Sequence, residues 1–201
     1  MARRLTEQDW VDFALTTLAH EGFDALKADV LARKLGVSRG SFYWHFADLR
    51  AFHARVIEHW KQVATEAIIA HIERYESHEA RLDALLRRAF GDGAALEIRM
   101  RAWAESNTAA ARALDDIDRR RRGYMERLLR EAGIAPPLAA ARTQVLYWTY
   151  LGAALSRSRL TGDRLDRTVA ELKRMAFGGR PATLAVIEDS PRRPLSRRRR
   201  G

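Results

Sequence analysis

From Ser38 to Arg50 the chain reads SRGSFYWHFADLR, and these residue types suit contact with a nucleic-acid duplex. Arg39 can present a forked guanidinium to a guanine edge, and Ser41 and Tyr43 carry hydroxyls suited to phosphate oxygens. Gly40 lets backbone approach closely. Tyr43, Trp44 and His45 would be costly rings to leave in water without a partner. Phe42 and Phe46 lie four apart, so one side of a short helix can be anchored from behind by both. The outward set is then Arg39, Gly40, Ser41, Tyr43, Trp44 and His45. An ordinary helical hairpin within a bundle is the competing reading of the same pattern.

A short reading helix works only if other elements hold it. Thr6 with Asp9 three residues on is a capping box, and Val11, Ala14, Leu15 and Leu18 give the helix that follows an apolar face. Gly22 is its natural stop. A second, short helix carries Ala28, Leu31, Ala32 and Leu35 and ends at Gly36. Ser38 then stands where it can cap the third helix, Arg39 to Phe46. Two short helices joined by a tight turn form a helix-turn-helix, whose second helix can enter a major groove about 12 Å wide.

The run Gly36-Val37-Ser38-Arg39-Gly40-Ser41-Phe42-Tyr43-Trp44-His45-Phe46 resembles the recognition helix of the TetR family of transcriptional regulators. Ala14 to Phe23 (ALTTLAHEGF) resembles that family's first helix and its glycine-phenylalanine stop. The resemblance covers roughly residues 5 to 60; beyond them only length and helical character agree. It implies a dimeric regulator, usually a repressor, in which three N-terminal helices sit on a larger helical domain that binds a small effector. It places DNA contacts on Ser38, Arg39, Gly40, Ser41, Tyr43, Trp44 and His45, with Lys27 at the start of the second helix. Two positions depart from the family pattern. Leu26-Lys27 stands where Thr or Ser usually opens the second helix. Leu49 stands where a phosphate-holding Lys usually follows the recognition helix, with Arg50 beside it.

The rest of the chain has helical period to Phe177 and no sustained alternation, so the expected fold class is all-α. A long helix is expected from Asp48 to Tyr75, with Phe52, Val56, Ile57, Trp60, Ala64 and Ile68 as its buried stripe. Later helices are expected at about 78–90, 94–106, 108–132, 136–160 and 163–177, separated at Gly91-Asp92-Gly93, Gly133 with Pro136-Pro137, and Gly162. The expected division is a helix-turn-helix domain over 1–50, a helical effector-binding and dimerisation domain over 51–179, and a basic, disordered tail over 180–201.

Within the larger domain, Met100, Trp103, Tyr124, Leu128, Tyr147, Tyr150 and Leu151 are candidates to line a pocket for a mostly apolar ligand, since aromatic and Met-rich walls suit one. Ordinary core is the alternative. Arg99 and Arg101 flank Met100, which would suit an anionic group on such a ligand. The run Asp115 to Arg122 (DDIDRRRR) reads as solvated ion pairs at i, i+4. A dimer interface is expected from the last two helices. One supplies Val145, Thr149, Gly152 and Ser156, and the other Leu165, Val169, Leu172 and Ala176, as an intermolecular four-helix bundle.

The net charge of +10 does not locate the DNA-binding region. Residues 1–50 carry seven basic and seven acidic side chains, whereas 180–201 carry seven Arg against Glu188 and Asp189. A non-specific nucleic-acid binder driven by Arg197-Arg198-Arg199-Arg200 is therefore a rival reading. The chain has no cysteine, which removes disulfides, thiolate catalysis and most structural zinc sites. No catalytic motif, metal site or cofactor-binding signature is present, and the six histidines form none. With no apolar run long enough for a membrane span and no signal-peptide core, the expectation is a cytoplasmic, non-enzymatic protein. Its expected partners are a palindromic DNA operator, a small-molecule effector and a second copy of itself.

Overall fold

The structure, a computed structural model, describes residues 5–91, 94–156 and 160–178. Among them the chain is helical with no strand, as the periodicity predicts. The N-terminal elements are α1 (Glu7–Glu21), a 3-10 turn (Phe23–Ala25), α2 (Ala28–Lys34) and α3 (Arg39–His45). After them come α4 (Leu49–Lys61), a π-turn (Gln62–Glu66), α5 (Ala67–Ile72), α6 (His78–Gly91), α7 (Ala95–Ala104), α8 (Thr108–Glu131), α9 (Pro136–Leu155) and α10 (Gly162–Phe177). The basic tail expected over 180–201 lies outside the described residues, as do Asp92 and Gly93 of one expected break.

Local chemistry sets the N-terminal boundaries. Thr6 and Asp9 form the capping box reciprocally, and Gly22 takes φ 88° as α1 ends. The α2–α3 corner turns on Gly36, whose φ of 68° a side chain would strain. Ser38 occupies the cap position of α3 in extended conformation, but its side chain makes no capping bond. What fixes α3 instead is Phe42, fully buried, with Trp10, Phe46 and Phe52 packed around it at ring separations of 5.0–5.4 Å. Burying such a ring contributes about 1.5–3 kcal/mol.

The helix expected from Asp48 to Tyr75 is continuous but not uniform. Its π-turn takes up one extra residue, so the buried stripe steps by five from Trp60 to Thr65 and continues through Ile69 and Ile72. Ala64 and Ile68, expected in that stripe, are only half-buried. Two main cores result. One joins α1–α4 to α7 and the first half of α8 through Trp60, Met100, Trp103 and Ile117. The other gathers α6, α9, α10 and the second half of α8. The 24 residues of α8 run through both, a length of about 36 Å.

The α10 half of the expected dimer stripe is corrected by this packing. Val169, Leu172 and Ala176 are buried in the chain's own second core, and Leu165 packs against it beside Gly91. The amphipathic face of α10 is used inside the subunit. On α9, by contrast, Val145, Thr149, Gly152 and Ser156 are exposed. The same face carries Trp148, 63% exposed, and Leu155, 62% exposed, which the stripe of small residues had left out.

Candidate nucleic-acid interface and cavity

With Phe42 and Phe46 turned inward, α3 gives its other side to solvent. Arg39, Gly40, Tyr43 and Trp44 are exposed, while Ser41 and His45 are half-buried. Trp44 is 71% exposed, more than any other large apolar side chain among the described residues. The guanidinium of Arg39 donates from Nη2 to the Tyr43 hydroxyl at 3.0 Å and lies 5.4 Å from the ring centroid. That bond raises the Arg39 pKa above its ordinary value. Ser38 and Lys27 are exposed at the starts of α3 and α2, and Arg50 is exposed in the first turn of α4. Leu49, standing where a phosphate-holding lysine was expected, is instead packed against the core. The sequence-predicted DNA-facing residues are thus exposed or half-buried on α3 and at the starts of α2 and α4.

A cavity of about 270 Å³ opens in the other half of the molecule. Trp60, Val63, Ala64, Thr65, Ile68 and Ile69 form one wall from α4 through the π-turn to α5. Leu86 and Phe90 of α6, Leu96 and Glu97 of α7, Arg121, Tyr124 and Met125 of α8, and Leu146, Tyr147 and Tyr150 of α9 complete much of the rest. Among the described residues no group of His, Asp or Glu could hold a metal ion, and no helix is long and apolar enough to cross a membrane.

Residues 11–52 match the family described as "Bacterial regulatory proteins, tetR family". That match falls on the N-terminal helices, from α1 through α3 into the first turn of α4. Among solved structures, a putative transcriptional regulator of the TetR/AcrR family has 20% identity and a TM-score of 0.68, over 85% of this chain and 97% of that one. The reduced form of E. coli NemR has 18% identity and a TM-score of 0.68, over 84% and 96%. A putative transcriptional regulator from Saccharomonospora viridis, in complex with choline, has 15% identity and a TM-score of 0.64, over 83% and 92%. At these identities the structural likenesses establish the fold. No curated protein matches the chain by sequence. Family members are regulators rather than catalysts.

In the larger helical part the candidate ligand residues divide. Tyr124, Tyr147 and Tyr150 come together at the cavity. Met100 and Trp103 do not: both are buried in the first core, where Trp103 stacks on Phe23 at 4.6 Å. Leu128 belongs to the second core, and Leu151 is half-buried and outside the cavity lining. The arginines flanking Met100 are also engaged. Arg101 bonds Glu97 and Asp118, and Arg99 donates to the carbonyl of His20 at 3.5 Å.

The run Asp115 to Arg122 is corrected too. Only Arg119 pairs within the run through its carboxylates, and with Asp116 at i, i+3. Arg120 forks onto Glu66 of the π-turn at 2.9 and 3.0 Å. Arg121 turns inward and donates to Glu97 Oε2 (3.0 Å), the Ala64 carbonyl (2.9 Å) and Thr65 Oγ1 (3.2 Å). Asp118 accepts from Arg101 and from the Tyr147 hydroxyl at 2.6 Å. Arg122 bonds the Asp118 main-chain carbonyl and Gln144.

This network sets the electrostatics of the cavity. Burial works against the Arg121 charge, but Glu97 more than offsets it and its pKa is raised. Burial likewise pushes Tyr124 and Tyr150 up to about 12, so both stay neutral at any ordinary pH. Sequence reasoning missed Glu97 and Arg121, yet both carry a signal. Arg121 falls on the Ile117, Tyr124, Leu128 stripe of α8, and Glu97 shares the Met100 and Trp103 face of α7. A charge on an apolar stripe marks a buried ionic group.

Proposed function

We propose that this regulator is a repressor that binds a palindromic operator as a homodimer, in the cytoplasm, under the control of a small, mostly apolar effector. The observation that carries the reading is the outward face of α3, where Arg39, Tyr43 and Trp44 are presented from a buried aromatic anchor. In this reading residues 1–50 read DNA, with Arg39 on a base edge and Lys27, Ser38, Ser41, Tyr43 and Arg50 on phosphate and sugar. Gly40 lets the backbone close on the duplex, and Trp44 and His45 pack against it. Residues 51–179 bind the effector and dimerise. The cavity is the effector site, supported by its apolar wall and by the similarly folded regulator in complex with choline. Trp60 lines that cavity while Phe52, on the same helix, packs on Phe42 and Phe46. Effector occupancy therefore has a route through α4 to α3.

The dimer forms through the exposed α9 face, where Val145, Trp148, Thr149, Gly152, Leu155 and Ser156 make an apolar stripe that a second copy would cover. Twofold symmetry then sets the two α3 helices about 34–36 Å apart, the spacing of successive major grooves. Selection from a random duplex library tests the reading: a palindrome with half-sites one turn apart is expected, and no enriched sequence would overturn it. Discrimination should survive removal of the residues after Gly179; its loss would assign binding to the basic tail. A Cβ on Gly152 meets nothing within 4 Å, so Gly152→Arg should leave the subunit folded while yielding monomers that no longer bind the operator. A Gly152→Arg dimer in sedimentation would place the interface elsewhere.

A further inference from the structure

We propose that the π-turn Gln62–Glu66 is a regulatory device: two arginines of α8 hold it in its present form, and the affinity of α3 for the operator depends on that hold. The inference rests on reading α3 as the operator-binding helix and adds what controls its seating.

The turn lies between the cavity and α3. Val63, Ala64 and Thr65 line the cavity, with Trp60 before them and Ile69 after. Upstream on the same run of helix, Phe52 packs on Phe42 and Phe46 of α3 at ring separations of 5.0 and 4.8 Å. An occupant of the cavity would press on a segment whose other end seats α3. That segment has a second conformation within reach. Ala67 donates to the Gln62 carbonyl, five residues back, where ordinary helix reaches back four. Turns of this kind are rare and are found mostly at functional sites.

The hold comes from outside the turn. Consecutive residues of α8 reach it from 54 to 57 positions away in sequence. Arg121 donates to the Ala64 carbonyl and to Thr65 Oγ1 on the cavity side. Arg120 forks onto the Glu66 carboxylate at 2.9 and 3.0 Å, and neither of that pair lines the cavity. The pair is 44% and 42% exposed, so it stabilises the fold little; what it fixes is the position of the turn against α8.

The test breaks this outer hold in the full-length protein and leaves the cavity lining alone. Glu66→Ala and Arg120→Ala should each melt close to the wild type. Each should bind the duplex selected by the wild type about threefold or more weaker. The two variants change the net charge in opposite directions, so a field effect on DNA would strengthen one and weaken the other. Deletion of Gln62 is the control. It removes the extra residue and leaves Trp60 and Thr65 four apart, in ordinary helical register, so fold and operator binding should be kept. Adding Glu66→Ala to the deletion should cost nothing further. Should the deletion variant not fold, hydrogen exchange in the wild type takes its place. Slower exchange of the Gln62–Ala67 amides with the duplex bound supports the coupling, and no change overturns it. Wild-type affinity in both single variants, shifts of opposite sign, or an equal loss with and without Gln62 would overturn the device and leave α3 as the reading helix. A wild type that selects no duplex would overturn the operator reading itself.

Discussion

Helices α3 and α8 both display arginine beside tyrosine, yet the two regions use those residues in opposite ways. On α3, Arg39 and Tyr43 face solvent and bond each other one turn apart, while the apolar side fixes the helix. On α8, Arg121 is pinned by Ala64, Thr65 and Glu97 from two other parts of the chain, so the ionic side is itself part of the packing. A surface arginine is free to serve a ligand at little structural cost. A buried one cannot be removed without leaving its acid unpaired.

The largest test of that contrast is to make the same change in both places. Arg121→Ala should destabilise the fold by about 3–5 kcal/mol in chemical denaturation, because Glu97 stays buried with half its cationic partners gone. Arg39→Ala should leave the denaturation midpoint where it is. Equal midpoints for the two variants would erase the distinction.

Operator binding should invert the ranking within α3 itself. Arg39→Ala is expected to weaken binding roughly ten- to a hundredfold and to relax preference at one base pair per half-site, measured by competition among operator variants. Tyr43→Phe should weaken every sequence to a similar, smaller extent, since a phosphate contact carries no base information. An unchanged base preference in Arg39→Ala would remove Arg39 from direct readout.

The smallest expected effect lies at the seam between the regions. His53 of α4 sits between Phe23 and Trp103, with Nε2 3.0 Å from the carbonyl of Leu26. Burial lowers its pKa below the ordinary 6.5 by disfavouring the charged ring. The unfolded chain therefore takes up the proton first. The contribution of His53 to stability is complete above about pH 6.5 and is lost as pH falls from there through the lower folded value. Denaturation midpoints of His53→Gln followed across this range should fall less steeply than those of the wild type.

Much of the helix-turn-helix was legible because its determinants are local. The capping box, the glycine turn and the Phe42–Phe46 spacing each act within a few residues. The cavity was legible only in part. Tyr147 and Tyr150 follow from helical spacing, but Arg121 finds Thr65 56 residues away and Glu97 24 away, separations that an i, i+4 rule cannot see. The α10 stripe failed for a related reason. Periodicity tells that a face is apolar and not whose core it joins, and α6 claims that of α10 within the chain. On α9 the small residues drew attention to a face that is exposed, while Trp148 and Leu155 on the same face escaped it.

The π-turn gives the α4–α5 rod two possible settings that differ by a single residue of phase. Were Gln62–Glu66 to relax into ordinary α-helix, every side chain beyond it would swing by about 100° relative to those before, since one residue is a little over a quarter of a turn. Ile69 and Ile72 would leave their seats, or Trp60 and Phe52 would leave theirs. Two arginines of α8 grip the turn, Arg120 on Glu66 and Arg121 on Ala64 and Thr65. Loosening that grip would free a twist of the rod rather than a bend or a slide, and a change of angle at one end is what a helix seated in a groove would feel at the other.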